Sequence, residues 1–200
     1  MSDISPTRSA VLEMRDERRA MHEGHVFLDE KCLLLAGEIL RELARQRDLR
    51  RRCDALDAAA RRALQAAVAR LGLQGLQVHP AADLAPARLR LARRALMGVP
   101  LQQTDYDAAA TAPAAAVEPN AEAEACRAAY AELLRAAVPL AAVEGNLERL
   151  ADEYRRTVRR ARALQDVMLP ELDATISEVE GRLEELEQEE AIGMRRGLRV

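Results

Sequence analysis

Apolar residues recur at a 3/4 spacing from Val11 without a break: Val11, Met14, Arg18, Met21, His25, Leu28, Cys32, Leu35, Ile39, Glu42, Gln46, Leu49, Cys53, Leu56, Ala60, Ala63 and Ala67. These span eight heptads, and 13 of the 17 positions are apolar. Three or four such heptads already predict a coiled coil. The spacing therefore predicts one long helix over 5–72. Ser5 is its expected cap, Pro6 its first helical residue, and Gly72 its stop. At about 1.5 Å per residue it is a rod of roughly 95 Å, which implies an elongated molecule.

A second long helix is expected over 120–192. Asn120 is a capping type, and Glu122 and Glu124 suit the first turn. Its seam reads Leu147, Leu150, Tyr154, Thr157, Ala161, Leu164 and Met168, then Leu172, Ile176, Val179, Leu183, Leu186 and Glu190. Met168 to Val179 is an eleven-residue step, which relaxes left-handed supercoiling locally. Pro170 lies inside it and predicts a mild kink. Pro139 and the Gly145-Asn146 pair mark further places where the helix could bend or break. Residues 193–200 read as a tail.

Between the helices, 73–119 holds five of the eight prolines and no sustained heptad. Leu73–Val78 and Arg88–Leu101 alternate enough to pair as a hairpin. Asp83–Met97 could equally be a short helix. Ala108–Pro119 reads as a linker.

The fold class expected is all-α: a long antiparallel two-helix coiled coil with a short irregular, hairpin or short-helix middle. Its seam would use Met14, Met21, Leu28, Cys32, Leu35, Ile39, Leu49, Cys53, Leu56, Leu164, Met168, Leu172, Ile176, Val179, Leu183 and Leu186. Charge selects the register. Glu178–Glu190 carries seven Glu and one Arg, and the first helix opens with Arg8, Arg15, Arg18 and Arg19. Antiparallel pairing sets these runs side by side.

Composition sharpens this picture. Hydrophobic residues are 49% of 200, but aromatics are 2%: Phe27, Tyr106, Tyr130 and Tyr154. Ala (40) and Leu (29) suit close helix contact rather than a globular core built on rings. A net charge of −3 gives no global attraction for nucleic acid, so no nucleic-acid binding is expected. No apolar run approaches the roughly 18–20 residues that cross a bilayer, so no membrane insertion is expected. The three cysteines, Cys32, Cys53 and Cys126, form no CxxC pair and read as reduced in an intracellular protein. No opening apolar segment suggests a leader.

Candidate chemistry is sparse. His22 and His25 are three apart, without the HExxH spacing or a third ligand, so no metal site is expected, and His25 reads as a polar seam residue. No phosphate loop, dinucleotide fingerprint or nucleophile elbow is present. No catalytic residue or cofactor is expected. Arg155, Arg156, Arg159, Arg160 and Arg162 read first as a solvated face partly paired with Glu148, Asp152, Glu153 and Asp166. The competing reading is a contact for an acidic protein.

Both ends resemble a known family. SPTRSAVLEMRDERRAMHEGHVFLDEKCLLL resembles its P-T-[RK]-x-x-L-x-x-[LM] opening and following G-x-x-L-L-x-x-K-R through Pro6, Thr7, Arg8, Leu12, Met14, Gly24, Leu28 and Lys31, with Cys32 in place of Arg. Arg159, Arg160, Ala163, Leu164, Leu169 and Pro170 resemble its R-R-x-N-A-L-x-x-x-x-[IL]-P pattern, with Arg162 in place of Asn. Leu183, Leu186, Glu189 and Glu190 resemble its close, and Leu96–Pro100 its M-G-V-x-x-P segment, shortened by one or two residues. The family is the D subunit, the central-stalk rotor of vacuolar/archaeal-type rotary ATPases, which also occur in bacteria.

The resemblance implies a non-catalytic shaft coupling ATP hydrolysis or synthesis to proton or sodium translocation by a membrane ring. It implies three partners: the small F subunit, a hexamer of catalytic and nucleotide-binding subunits, and a funnel-like subunit above the ring. The expected location is cytoplasmic, peripheral to the inner membrane through the complex. Hexamer contacts are expected at Arg15, Arg18, Arg19, Arg195, Arg196 and Arg199, and the membrane-side end at Leu96, Met97, Gly98, Val99 and Pro100. The alternatives are a coiled-coil stalk or chaperone of a secretion-apparatus ATPase, and a self-associating scaffold.

Overall fold

The computed structural model describes residues 5–80, 88–107, 116 and 119–197. Helix α1 spans Arg8–Gln77, strands β1 and β2 span Arg88–Leu96 and Val99–Asp107, and α2 spans Ala121–Ala163. A π turn over Leu164–Met168 leads into α3, Leu169–Gly197. Among the described residues the chain is thus all-α apart from one hairpin, with its N- and C-terminal helices packed together.

Local chemistry explains the ends. Thr7, not Ser5, caps α1: its Oγ1 accepts from the Ala10 N–H at 3.2 Å. A hydroxyl satisfies the third free amide of the first turn only from the residue directly before it, and Pro6 lies one place too early. Asn120 caps α2, its Oδ1 accepting from the Glu122 and Ala123 amides at 3.0 and 3.1 Å. At Gly72 the backbone leaves helical geometry (φ 68°, ψ 169°), and the helix resumes to Gln77. Leu73–Gln77 is therefore helical, not the strand its alternation allows. The helix alternative for Asp83–Met97 fails from Arg88 onward, where β1 begins; its first residues, and most of the expected linker, lie outside the described residues. Helix α3 runs on to Gly197, through much of the expected tail.

The structure forms two compact units, Met1–Leu34 with Tyr154–Val200, and Leu35–Glu153. In the first, α1 pairs antiparallel with the C-terminal helices. Val11, Met14, Ile176 and Val179 form its core, with Leu172 and Leu183 packed on it. Cross-helix partners fall in number as α1 rises: Arg8 with Glu187 at 2.8 Å, Arg15 with Glu180 at 2.7 Å, Arg18 with Asp173, and His25 with Gln165 at 3.4 Å. This is the register that the opposite charge runs select.

The eleven-residue step has a structural cause. Pro170 has no N–H and crowds the carbonyl four residues back. The backbone opens one turn before it, and the Leu169 amide reaches the Leu164 carbonyl, five residues back. A π turn absorbs one residue of the heptad. The seam therefore runs Ala161, Leu164, Leu169, Leu172, Ile176, and Leu169 takes the place expected of Met168. Met168 turns outward, 42% exposed. Leu186 is also out of the seam at 44% exposure, near the end of the pairing where fewer side chains cover it.

In the second unit Cys53, Ala136 and Leu140 form a buried cluster flanked by Leu49 and Leu56. Small residues allow close approach here: Ala60 and Ala67 are fully buried, as are Leu35 and Leu150. Neither Pro139 nor Gly145-Asn146 ends α2, which is helical through both.

Candidate functional site

In the second unit the hairpin is the feature with the most specific geometry. β1 and β2 pair antiparallel, Leu96 opposite Val99 and Arg88 opposite Asp107. Met97 and Gly98 make the turn with φ of 48° and 85°. Two successive positive φ values define a type I′ turn, whose twist matches the strands. Gly98 adopts this freely, whereas Met97 does so at a cost of about 1–2 kcal/mol.

The Leu96–Pro100 segment expected at the membrane-side end is this turn. Leu96 and Met97 are half-buried, Val99 is buried, and Gly98 and Pro100 are exposed. Pro100 opposes Ala95 beside the Leu96–Val99 pair that closes the turn. Bonded and non-bonded pairs alternate in an antiparallel ladder, so a donor at 100 would point away from β1, and proline forfeits no ladder bond.

Asn146 holds the hairpin. Its Oδ1 accepts from the Gln102 amide and its Nδ2 donates to the Gln102 carbonyl, both at 2.8 Å. The side-chain amide imitates a neighbouring strand on the outer edge of β2. Arg149 adds two bonds, from Nε to the Pro100 carbonyl at 2.9 Å and from a terminal nitrogen to Asn146 Oδ1 at 2.7 Å. Thr104 Oγ1 donates to the Val138 carbonyl at 3.1 Å.

On α1, Glu38 and Glu42 are buried at 3% and 4% exposure. Arg94 of β1 reaches Glu38 in a short ion pair and Glu42 at 3.6 Å, and Arg41 Nε donates to Glu38 at 2.8 Å. Burial pushes the Glu38 carboxyl up; bonds and charge from Arg94 and Arg41 outweigh it and hold the group below the usual carboxylate range.

In the first unit the exposed charges are the candidates. Arg15 and Arg18 are exposed but already engaged with Glu180 and Asp173. Arg19 pairs with Asp16 at 3.2 Å, and Arg195 is exposed on α3. The Arg196 side chain and all of Arg199 lie outside the described residues. Arg155, Arg156, Arg159, Arg160 and Arg162 are all exposed.

Of the other seam residues, Met14, Leu35, Cys53, Ile176 and Val179 are buried. Met21, Leu28, Cys32, Ile39, Leu49, Leu56, Leu164, Leu172 and Leu183 are half-buried. His25 is half-buried against Gln165 and lies 3.6 Å from Asp29. The cysteines are free, and burial raises all three thiols, with Asp29 adding to the rise at Cys32 and Asp54 at Cys53. Among the described residues no group of three His, Cys, Asp or Glu could hold a metal, and no helix is long and apolar enough to cross a membrane.

A family model described as the ATP synthase D subunit matches residues 10–196. The chain belongs to the ATP synthase D-subunit family. It is 26% identical to the A-type ATP synthase D subunit of Methanopyrus kandleri, over 98% of this chain and 86% of that one. It is 24% identical to the V-type D subunit of Thermotoga neapolitana over 96% of each, and 28% to that of Thermus thermophilus over 98% and 88%. As a V/A-type D subunit it is a component of a multi-subunit enzyme complex.

Of the buried polar positions of this D subunit, sequence reasoning placed Glu42 and Thr157 in the seams and missed Glu38 and Asn146. Asn146 reads as a helix breaker beside Gly145, and only its presence opposite a strand edge makes it an anchor. Glu42 carries a partial signal, a carboxylate in an apolar seam that needs a cation. Nothing in the pattern names Arg94 as that cation.

Proposed function

We propose that this chain is the non-catalytic central shaft of a V/A-type ATPase, coupling ATP hydrolysis or synthesis in a catalytic hexamer to ion movement through a membrane ring. The reading rests chiefly on the descending series Arg8–Glu187, Arg15–Glu180, Arg18–Asp173. Those pairs set the register of two terminal segments that lie side by side around a thin apolar seam. A shaft needs this: torque passes along paired helices, and no chemistry happens within them.

The end bearing Arg15, Arg18, Arg19, Arg195, Arg196 and Arg199 sits inside the hexamer, against acidic loops. The hairpin turn, Leu96–Pro100, lies toward the funnel-like subunit, with the F subunit alongside. The chain is peripheral to the membrane through these partners.

The test is reconstitution. Purified chain is mixed with the F subunit and the hexamer subunits, and a bead is fixed to the hairpin. ATP-driven stepwise rotation is the expected result. A complex that hydrolyses ATP at full rate while the bead stays still rejects the shaft. A homodimer with no affinity for the F subunit favours the scaffold alternative.

A further inference from the structure

The hairpin has two edges, and among the described residues one of them is covered. Gln102 presents both backbone groups to Asn146, so the Arg93–Gln102 pair exchanges no ladder bonds. Bonded and non-bonded pairs alternate along an antiparallel ladder. The amides and carbonyls of Leu89, Leu91, Arg93 and Ala95 therefore all point away from β2. α2 occupies the β2 edge; Arg88 through Ala95 are exposed.

An exposed strand edge is a template for another strand. Here its chemistry is directional. β1 reads RLRLARRAL, with four arginines and no acidic residue. Arg94 is committed to Glu38 and Arg90 is also engaged, which leaves Arg88 and Arg93 for a partner. Leu89 and Leu91 stay 56% and 51% exposed on one face, alternating with the charges, where an edge meant only for water would carry polar residues. A second copy fits poorly, because edge-to-edge pairing of two such strands sets arginine against arginine.

We infer that the outer edge of β1 docks an extended, acidic protein segment as a third strand. Backbone bonds come from Leu89, Leu91, Arg93 and Ala95, Leu89 and Leu91 receive alternate apolar side chains, and Arg88 and Arg93 select for carboxylates. The hairpin suits the task because its turn and the Asn146 bonds hold it fixed before the segment arrives, which lowers the ordering cost of binding. The inference concerns the free chain and stands apart from the shaft reading.

The probe is a blocked peptide alternating Glu and Val, added to the full-length chain, with a Lys/Val peptide as control. The readout is amide hydrogen exchange. With the acidic peptide, the Leu89, Leu91, Arg93 and Ala95 amides should slow by about tenfold or more. The inward amides of Arg90, Ala92 and Arg94 are protected with or without peptide and report an intact hairpin. Leu91→Pro removes one outward donor and no bond to β2, so it should abolish the slowing. Should it also expose the inward amides, Arg88→Glu with Arg93→Glu decides instead: the preference should switch to the Lys/Val peptide. Equal slowing by both peptides, no slowing, or outward amides already protected in the chain alone overturns the inference. Failure here leaves rotation untouched, and a stationary bead leaves the peptide result untouched.

Discussion

The two units hold themselves together by different physics. The unit of paired termini relies on apolar contact among Val11, Met14, Ile176 and Val179, with its ion pairs on the surface: Arg8 and Glu187 are 79% and 47% exposed. Charges in water attract weakly and are screened by salt, so these pairs choose a register without adding much stability. The hairpin unit buries its polar groups. Asn146 is 1% exposed, and Glu38 and Glu42 are 3% and 4%. A buried polar group is costly until its partner is in place, so Asn146 and Glu38, whose partners are in place, fix position as an apolar contact cannot. One unit is specified by pattern, the other by individual matched groups.

That contrast breaks most readily at Asn146. Asn146→Leu keeps the volume but leaves the amide and carbonyl of Gln102 without partners. The expected loss is about 2–4 kcal/mol in denaturant unfolding, taking about 1–3 for each orphaned group with partial relief by water. A loss under about 0.5 kcal/mol would mean that the hairpin is held by its other contacts, the buried Val99 and Leu101, Thr104 on Val138 and Arg94 on Glu38.

The next largest effect tests the shifted seam. Leu169→Ala should cost about 1–2 kcal/mol, because a half-buried leucine loses much of its transfer energy. Met168→Ala should cost less than about 0.5 kcal/mol. Equal costs would restore Met168 to the seam.

The Arg94 cluster predicts a pH dependence. The folded-state pKa of Glu38 lies below its unfolded value, so the folded form binds fewer protons and stability rises with pH. The contribution is complete above the ordinary glutamate pKa of about 4.3 and disappears as pH falls through the lower folded value. Arg94→Gln should flatten this acid limb, measured as unfolding midpoint against pH. An unchanged slope would assign the shift to Arg41 alone.

The smallest effect lies at the surface pairs. Arg8→Ala should cost about 0–1 kcal/mol and lose even that in high salt. A salt-independent loss of several kcal/mol would erase the distinction between the units.

The same distinction explains what could be read in advance. The α1 seam from Val11 to Ala67 follows from a 3/4 pattern that any antiparallel partner would bury, and the Arg and Glu runs select the register. Asn120 announces α2 because a cap is a local interaction. Met97 in a left-handed turn was not legible, since methionine rarely accepts that conformation and only the two strands impose it. The π turn was visible as an anomaly, an eleven-residue step beside Pro170, but not as the device that moves Leu169 inward.

The sequence by itself determined the two helices, their small-residue seam, their antiparallel register and the family, because all of these depend on periodicity, caps and ordered motifs along the chain. Only the tertiary structure decided that Asn146 anchors a strand edge, that Arg94 answers Glu38, and that no described strand pairs with the outer edge of β1. The first two depend on groups 44 to 56 residues apart meeting within hydrogen-bond distance. No local pattern encodes such a meeting, because the energy that rewards it exists only after the chain has brought both partners out of water.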